Sequence, residues 1–287
     1  MCTKLHDIKT SIVCCSYSVI ILLETWLHAG IFDREYCDNT YLVFRKDRCP
    51  DNPSVRGGGV LIAVKRSFST KMLNLDVKGR EEIWVEINLG GINVILCAVY
   101  FPPNSLMQHY MHHVELVNYV VDTYKQHAVI IVGDYNLPHV IWKYNKKNET
   151  MYIFESNDLG TYLSDELLFC GFNQFNGICN DYNSILDLVF ANQFFVKVSK
   201  CNSEILSWCD RYHPALNIDI DLTAWNGASY INNGNISAKK FKMAEYDKIN
   251  SELKLVKWSE LLSASNIDRC VESLYNVLYQ LIDSYQT

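Results

Sequence analysis

An α/β (α+β) architecture, sheets covered by helices, is the fold the sequence predicts, and three observations carry it. Short apolar runs recur along the chain and end on polar residues, as buried strands do. Two longer stretches between them read as helices. Several strands follow one another through hairpin-like turns, so the chain is not a regular alternation of strand and helix.

In chain order, Thr3–Cys14 places Leu5, Ile8, Ile12 and Val13 as a short amphipathic helix does. Ser18–Glu24 (SVIILLE) then reads as a buried strand ending on a carboxylate. Gly57-Gly58-Gly59 marks a tight turn before the strand VLIAV. IWVEINL and INVILCAVYF are two more strands, with Gly90-Gly91 as the hairpin-like connection. Pro102-Pro103 stops the second and opens a helix through His109 to Gln126. AVIIVGDYN is a buried strand that ends at Gly133 and exposes Asp134. A helix from Asp158 to Cys170 leads into the strand SILDLVFAN. HPALNIDIDL is the last core strand, with Leu216, Ile218 and Ile220 on one face.

After Leu222 the texture changes. Residues 223–237 are rich in Asn, Gly and Ser and read as a linker. From Lys239 the pattern is helical (Phe241, Tyr246, Ile249, Leu253, Leu261, then Val271 to Ile282), and its charges cancel at seven of each sign. Two parts are expected: a catalytic domain over 1–222 and a linker with helical connector over 223–287.

Size and charge bound the function. A chain of 287 residues, 49% hydrophobic, buries one substantial core and a small appendage. A net charge of −6 argues against a protein that simply coats nucleic acid. Between Arg45 and Arg80, however, nine basic residues face three acidic ones, an excess suited to a phosphate backbone. A solvated strand face is the competing reading of that tract. The eleven cysteines lack metal-finger spacing and read as reduced thiols of an intracellular protein. Ser11–Leu23 is too short to span a bilayer and is interrupted by serines and a tyrosine, so a soluble chain is expected and no membrane partner.

The chemistry is expected at strand ends, where a sheet scaffold assembles a site. Glu24 ends the first strand and Tyr100 the fourth; Asp134 and Asn136 follow the next; Asp187 lies inside SILDLVF; His213 opens the last strand. Such a set suits phosphodiester hydrolysis. A hard cation such as Mg²⁺ takes oxygen ligands and keeps several waters, so one or two carboxylates suffice. A carboxylate beside an amide orients and deprotonates water, and a His fixed by a carboxylate hydrogen-bonds the phosphoryl oxygen.

ETWL (Glu24–Leu27), GGGVLIAV (Gly57–Val64), AVYFPPN (Ala98–Asn104), GDYN (Gly133–Asn136), SILDLVF (Ser184–Phe190) and RYHPAL (Arg211–Leu216) stand in one order. In that order the chain resembles the endonuclease/exonuclease/phosphatase superfamily, and in wording the apurinic-type endonuclease domain of jockey-like non-LTR retrotransposons. The resemblance spans about residues 3–222. It implies a DNase I-like, four-layer sandwich of two mixed β-sheets flanked by helices. It implies Mg²⁺, with Mn²⁺ as the alternative, held by Glu24, and no small-molecule cofactor. By the same resemblance Asp134 activates the water, Asn136 positions the phosphate, Tyr100 contacts phosphate, Asp187 orients the histidine, and His213 is the catalytic histidine. Arg45 and Arg48 are candidates for contact with DNA, surface charge being the alternative. The tail resembles the connector to a reverse transcriptase, the partner expected in a full-length element.

The match departs from the family pattern in two places. The superfamily has a strand ending in asparagine before the helix that here begins near Thr3, so a missing first strand and an unfilled sheet edge are expected. Many members also carry Asp directly before the histidine, where this chain reads Asp210-Arg211-Tyr212-His213. The leading expectation is an intracellular, nuclear enzyme that nicks target DNA to prime reverse transcription. The alternatives are a catalytically inactive remnant kept as a DNA-binding module, and a phosphatase or phosphodiesterase for a small phosphorylated molecule.

Overall fold

The computed structural model describes residues 9–10, 12, 17–48, 57–193, 196–201, 211–221, 246–261 and 267–284. The helix expected over Thr3–Cys14 and the linker at 223–237 fall largely or wholly outside them. The chain forms two compact units, residues 1–227 and 228–287.

In the first unit the strands are β1 (Val19–Leu23), β2 (Tyr41–Lys46), β3 (Val60–Lys65), β4 (Ser69–Met72), β5 (Glu81–Leu89) and β6 (Ile92–Tyr100). Helix α1 (Met107–Thr123) follows, then β7 (Ala128–Asp134), β8 (Ile141–Asn145) and β9 (Thr150–Glu155). Helix α2 (Asp158–Phe169) precedes β10 (Asn173–Gln174), β11 (Asp187–Ala191), β12 (Val196–Lys200) and β13 (Leu216–Ile220). Eight strands make one sheet in the order β4-β5-β6-β7-β11-β10-β9-β8. Its one parallel pair is β6–β7, because α1 carries the chain back over the sheet between them.

The four layers follow from alternation along these strands. On one face of the large sheet, Trp84, Cys97, Val99, Ile131 and Phe190 meet α1 and α2 through Val114, Val117, Leu163 and Leu167. On the other, Ile83, Val85, Leu96, Ala98, Ile130 and Val132 meet Val60, Ile62 and Val64 of β3 and Val196 of β12. The outer face of β1 and β3 is closed by Leu27, Ile31, Tyr36, Cys37 and Ile12. Two mixed sheets were expected, and among the described residues the larger sheet is the mixed one. The layer facing it consists of antiparallel pieces, β1-β3-β2 and β12-β13.

The helices obey their caps and faces. α1 buries Tyr110, His113, Val114, Val117 and Val120, one stripe at helical spacing. α2 starts at Asn157, whose side chain accepts the Gly160 N–H at 3.0 Å. The second unit holds α3 (Tyr246–Leu255), α4 (Trp258–Leu261) and α5 (Ile267–Ser284). Trp258 Nε1 donates to the Leu253 carbonyl at 3.1 Å, closing the turn between the first two. Among the described residues no helix is long and apolar enough to cross a membrane.

Candidate active site

One register row across four neighbouring strands builds the site. Glu81 on β5 pairs with Tyr100 on β6, Tyr100 with Asp134 on β7, and Asp134 with Asp187 on β11. Paired residues in a ladder share a face. This face is the one that fills the inter-sheet core with Ile83, Ala98, Val132 and Val189. The apolar stripe therefore turns polar where the strands end. Asp187 is the first residue of its strand rather than an interior one, so its carboxylate reaches that rim.

Gly133 allows the strands to approach. A Cβ there would run into the Val99 carbonyl of the parallel neighbour, so glycine sets the spacing that puts Asp134 beside Tyr100. After Asp134 the chain turns at Asn136, whose φ of 47° lies in the left-handed region that Asn tolerates. The Asn136 N–H donates to Asp134 Oδ1 at 2.9 Å. Its side-chain Nδ2 donates to Asp134 Oδ2 at 2.9 Å and to the Phe101 carbonyl at 2.7 Å. Asn136 thus fixes the carboxylate of Asp134, and its side-chain amide hydrogens are shared between that carboxylate and the Phe101 carbonyl.

His213 Nδ1 lies 3.0 Å from Asp187 Oδ2, and its Nε2 lies 3.7 Å from Asp134 Oδ2. The imidazole is thus held by one carboxylate and faces the other. Asn176, itself buried, donates to the Asp187 carbonyl at 2.6 Å and so pins the strand carrying that carboxylate. Asp134 is 2% exposed, and burial, then the neighbouring Asp187, push its carboxyl up to about 7 against the pull of His213.

Glu24 follows β1 with a φ of 49°, a left-handed conformation unusual for glutamate. Thr25 and Trp26 bind back through their N–H groups to the carbonyls of Gly59 and Gly58, at 3.1 and 2.9 Å. The three glycines 57–59 all have positive φ, and a Cβ at Gly59 would sit 2.6 Å from Thr25 Oγ1. The turn therefore has to be glycine for the Glu24 segment to lie against it. The exposed Glu24 carboxylate accepts a hydrogen bond from the Tyr100 hydroxyl. Burial first, then that bond to Glu24, hold the Tyr100 phenol well above its ordinary range.

The two arginines differ. Arg45 donates to the carbonyls of Ile31 and His28 at 2.8 and 3.2 Å and pairs with Asp33 and Asp47, so its guanidinium is engaged within its own chain. Arg48 is at the site: it pairs with Glu81 and lies 5.7 Å over the Tyr100 ring. Elsewhere in the basic tract, Arg80 pairs with Glu82, and Arg66 donates to the Asn39 carbonyl at 3.0 Å. Arg56 lies outside the described residues.

A divalent cation fits the donor set. Ligand atoms of Asp134, Asp187 and His213 all lie within 4.8 Å of one another, and Glu24 adds its charge to Asp134. Burial and, after it, repulsion from Asp187 raise the Asp134 carboxyl, and a hard cation among these carboxylates would offset that repulsion. The triad does not include Glu24, the ligand implied by resemblance.

Sequence reasoning missed Asn176 and Asn180. Both sit in the Asn-rich stretch before SILDLVF, where their side chains shape turns through short local bonds. The density of Asn between Asn173 and Asn183 was the available signal. Asp210, the nearest carboxylate to the histidine in sequence, lies outside the described residues, while Tyr212 is described and exposed.

Residues 94–216 match a protein family described as endonuclease-reverse transcriptase. That span contains Tyr100, Asp134, Asn136, Asp187 and His213, and begins after Glu24. No curated protein matches the chain. Among solved structures, the endonuclease domain of TRAS1, a telomere-specific non-LTR retrotransposon, has a TM-score of 0.53 at 15% identity, covering 76% of this chain and 92% of that one. The 3′ phosphatase NExo from Neisseria, bound to a product DNA hairpin, has a TM-score of 0.50 at 12% identity, over 76% and 95%. At such identities the likeness is one of fold. The fold is therefore DNase I-like, and residues 94–216 match the endonuclease-reverse transcriptase family.

Proposed function

We propose that residues 1–222 form a Mg²⁺-dependent endonuclease that nicks DNA, of the kind that opens a target site for a non-LTR retrotransposon. The supporting observation is the Asp187–His213–Asp134 arrangement at the end of the inter-sheet core, with Tyr100 and Glu24 beside it. Its groups divide the work of phosphodiester hydrolysis. Asp134, held at both oxygens by Asn136, is placed to orient a water and take its proton. Asp187 fixes His213 so that Nε2 faces the same space and donates to a phosphoryl oxygen as charge builds there. Tyr100 donates to Glu24 and sets the direction of that carboxylate.

Glu24 is the carboxylate assigned to hold Mg²⁺, with Mn²⁺ as substitute, beside the Asp134, Asp187 and His213 donor cluster. Bound there, the ion supplies charge stabilisation to the phosphoryl and leaving oxygens. Arg48, beside Tyr100, is the arginine we retain as a contact to DNA; Arg45 we assign to stabilising its own loop. Residues 223–287 are read as the connector toward a reverse transcriptase, and the nucleus as the compartment where the substrate lies.

The test is a nicking assay on supercoiled plasmid. Purified chain should nick with Mg²⁺ and not with EDTA. Asp134→Ala should lose roughly 100- to 10,000-fold in rate and His213→Ala roughly 100- to 1,000-fold. Folded protein that leaves the plasmid intact in Mg²⁺ and in Mn²⁺ overturns the reading in favour of an inactive DNA-binding remnant. Activity confined to small phosphorylated compounds overturns it in favour of a phosphatase.

A further inference from the structure

We propose that Tyr182 and Tyr212 form a stacking platform for an unpaired nucleobase next to the phosphate bound at Asp134 and His213; this rests on the phosphodiesterase reading above. The two rings lie 4.7 Å apart at an interplanar angle of 27°, and each residue is 54% exposed. They come from separate segments, one between β10 and β11 and one just before β13. An aromatic pair left this open leaves apolar area in water that a planar ligand would cover.

The platform is tied to the catalytic cluster on both sides. Tyr212 directly precedes His213, so their Cα atoms are about 3.8 Å apart. Tyr182 lies in the loop that runs through Ser184 and the buried Ile185 into Asp187. One buried side chain joins the two arms. Asn180, 8% exposed, accepts from the N–H groups of Tyr182 and Ser184 at 2.9 and 3.0 Å, and its Nδ2 donates to the Tyr212 carbonyl at 3.1 Å. The Asp181 N–H adds a bond to the Arg211 carbonyl at 3.0 Å. The backbone beneath the rings is therefore fixed, and a ligand would meet them already stacked, with little ordering left to do.

The chemistry selects a nucleobase. Every base presents a flat π face, which stacks on tyrosine with little regard to sequence. Inside a duplex those faces are covered by neighbouring bases and only the edges are reachable. The platform thus takes a base that is unpaired or at a strand end. Exposed Arg211 directly precedes Tyr212 in the chain, a cation beside the platform of the kind that contacts phosphate.

The experiment uses the full chain in EDTA, so that no cleavage occurs, with a 2-aminopurine oligonucleotide presented single-stranded or in duplex. Wild type should bind the single strand and quench its fluorescence. Tyr182→Leu and Tyr212→Leu should each weaken single-strand binding about tenfold and remove the quench, leaving duplex binding unchanged. Tyr212→Phe and Tyr182→Phe should bind as wild type, because the ring remains, and all four variants should melt at the wild-type temperature. Leu variants that bind the single strand like wild type, or Phe variants that lose as much as Leu, overturn the platform. A chain that nicks plasmid but fails these tests loses the platform alone. A chain that passes them without nicking keeps the platform and loses the hydrolytic reading.

Discussion

Asp134 carries an electrostatic conflict, being almost fully buried and close to Asp187. Its folded carboxyl, at about 7, stands above the ordinary value of 3.8, so the folded chain holds a proton that the unfolded chain releases. The sign follows: stability from this group is complete below about pH 4 and is lost as pH rises through about 7. Metal-free protein should accordingly melt at progressively lower temperature across that window, and Asp134→Asn should flatten the trend. Added Mg²⁺ should raise the melting temperature more at pH 7 than at pH 5, since only the charged carboxylate attracts it. An equal slope in Asp134→Asn would place the pH dependence elsewhere. At this scale the residues that the structure brings together in the candidate site were legible as strand-end polar groups. Glu24, Tyr100, Asp134, Asn136, Asp187 and His213 were singled out from strand ends, because a polar residue closing an apolar run needs a reason to be there. The roles of Asn176 and Asn180 were not, since a side chain that bonds two backbone segments across 11 or 32 residues leaves no periodic trace.

At the scale of elements, the strands that formed the inter-sheet core declared themselves by unbroken apolar runs, while β2, β4, β8, β9 and β12 did not. Those are edge or half-exposed strands whose apolar runs are broken by polar residues such as Lys, Arg, Asn, Ser, Thr and Glu, so the ladder rather than the pattern identifies them. Beneath β7 a buried polar network joins three elements. Glu82 accepts from Trp84 Nε1 at 2.7 Å, Arg80 Nε at 2.8 Å and His113 Nδ1 at 3.0 Å, and His113 Nε2 lies 3.0 Å from the Tyr135 hydroxyl. Burial raises the Glu82 carboxyl, but His113 and Arg80 together bring it below its ordinary range. Removing that charge leaves the Arg80 guanidinium, with 6% of its side chain exposed, without its counter-ion. Glu82→Gln should therefore cost about 3–5 kcal/mol in a urea melt, a buried pair broken on one side. A loss under about 1 kcal/mol would mean that water reaches Arg80 and the network is not sealed. Gly133→Ala tests the neighbouring strand spacing. Its Cβ meets the Val99 carbonyl, so it should cost about 1–3 kcal/mol and lower nicking by pushing Asp134 from Tyr100.

For the whole molecule, the layers explain where the site lies. Helices on one face and small sheets on the other leave the strand ends as the place where both the large sheet and the facing layer present side chains. Glu24 arrives from β1, and His213 from the segment before β13, onto a rim set by β6, β7 and β11. Two mixed sheets were expected there. The parallel pair β6–β7 is joined by α1 crossing over the sheet, while short turns join the antiparallel pairs β5–β6 and β8–β9. All three apolar cores consist of residues from the first unit, and so does every residue assigned to catalysis. A chain ending at Gly227 keeps all of those contacts. It should unfold in one cooperative transition and nick supercoiled plasmid at a rate within about twofold of the full chain, since it loses neither core nor site. The isolated unit 228–287 should show helical circular dichroism without binding or cutting DNA. If the shortened chain loses its cooperative melt while the full chain keeps it, residues 228–287 contribute to the fold of the first unit. The reading of that segment as a mere connector would then have to be abandoned.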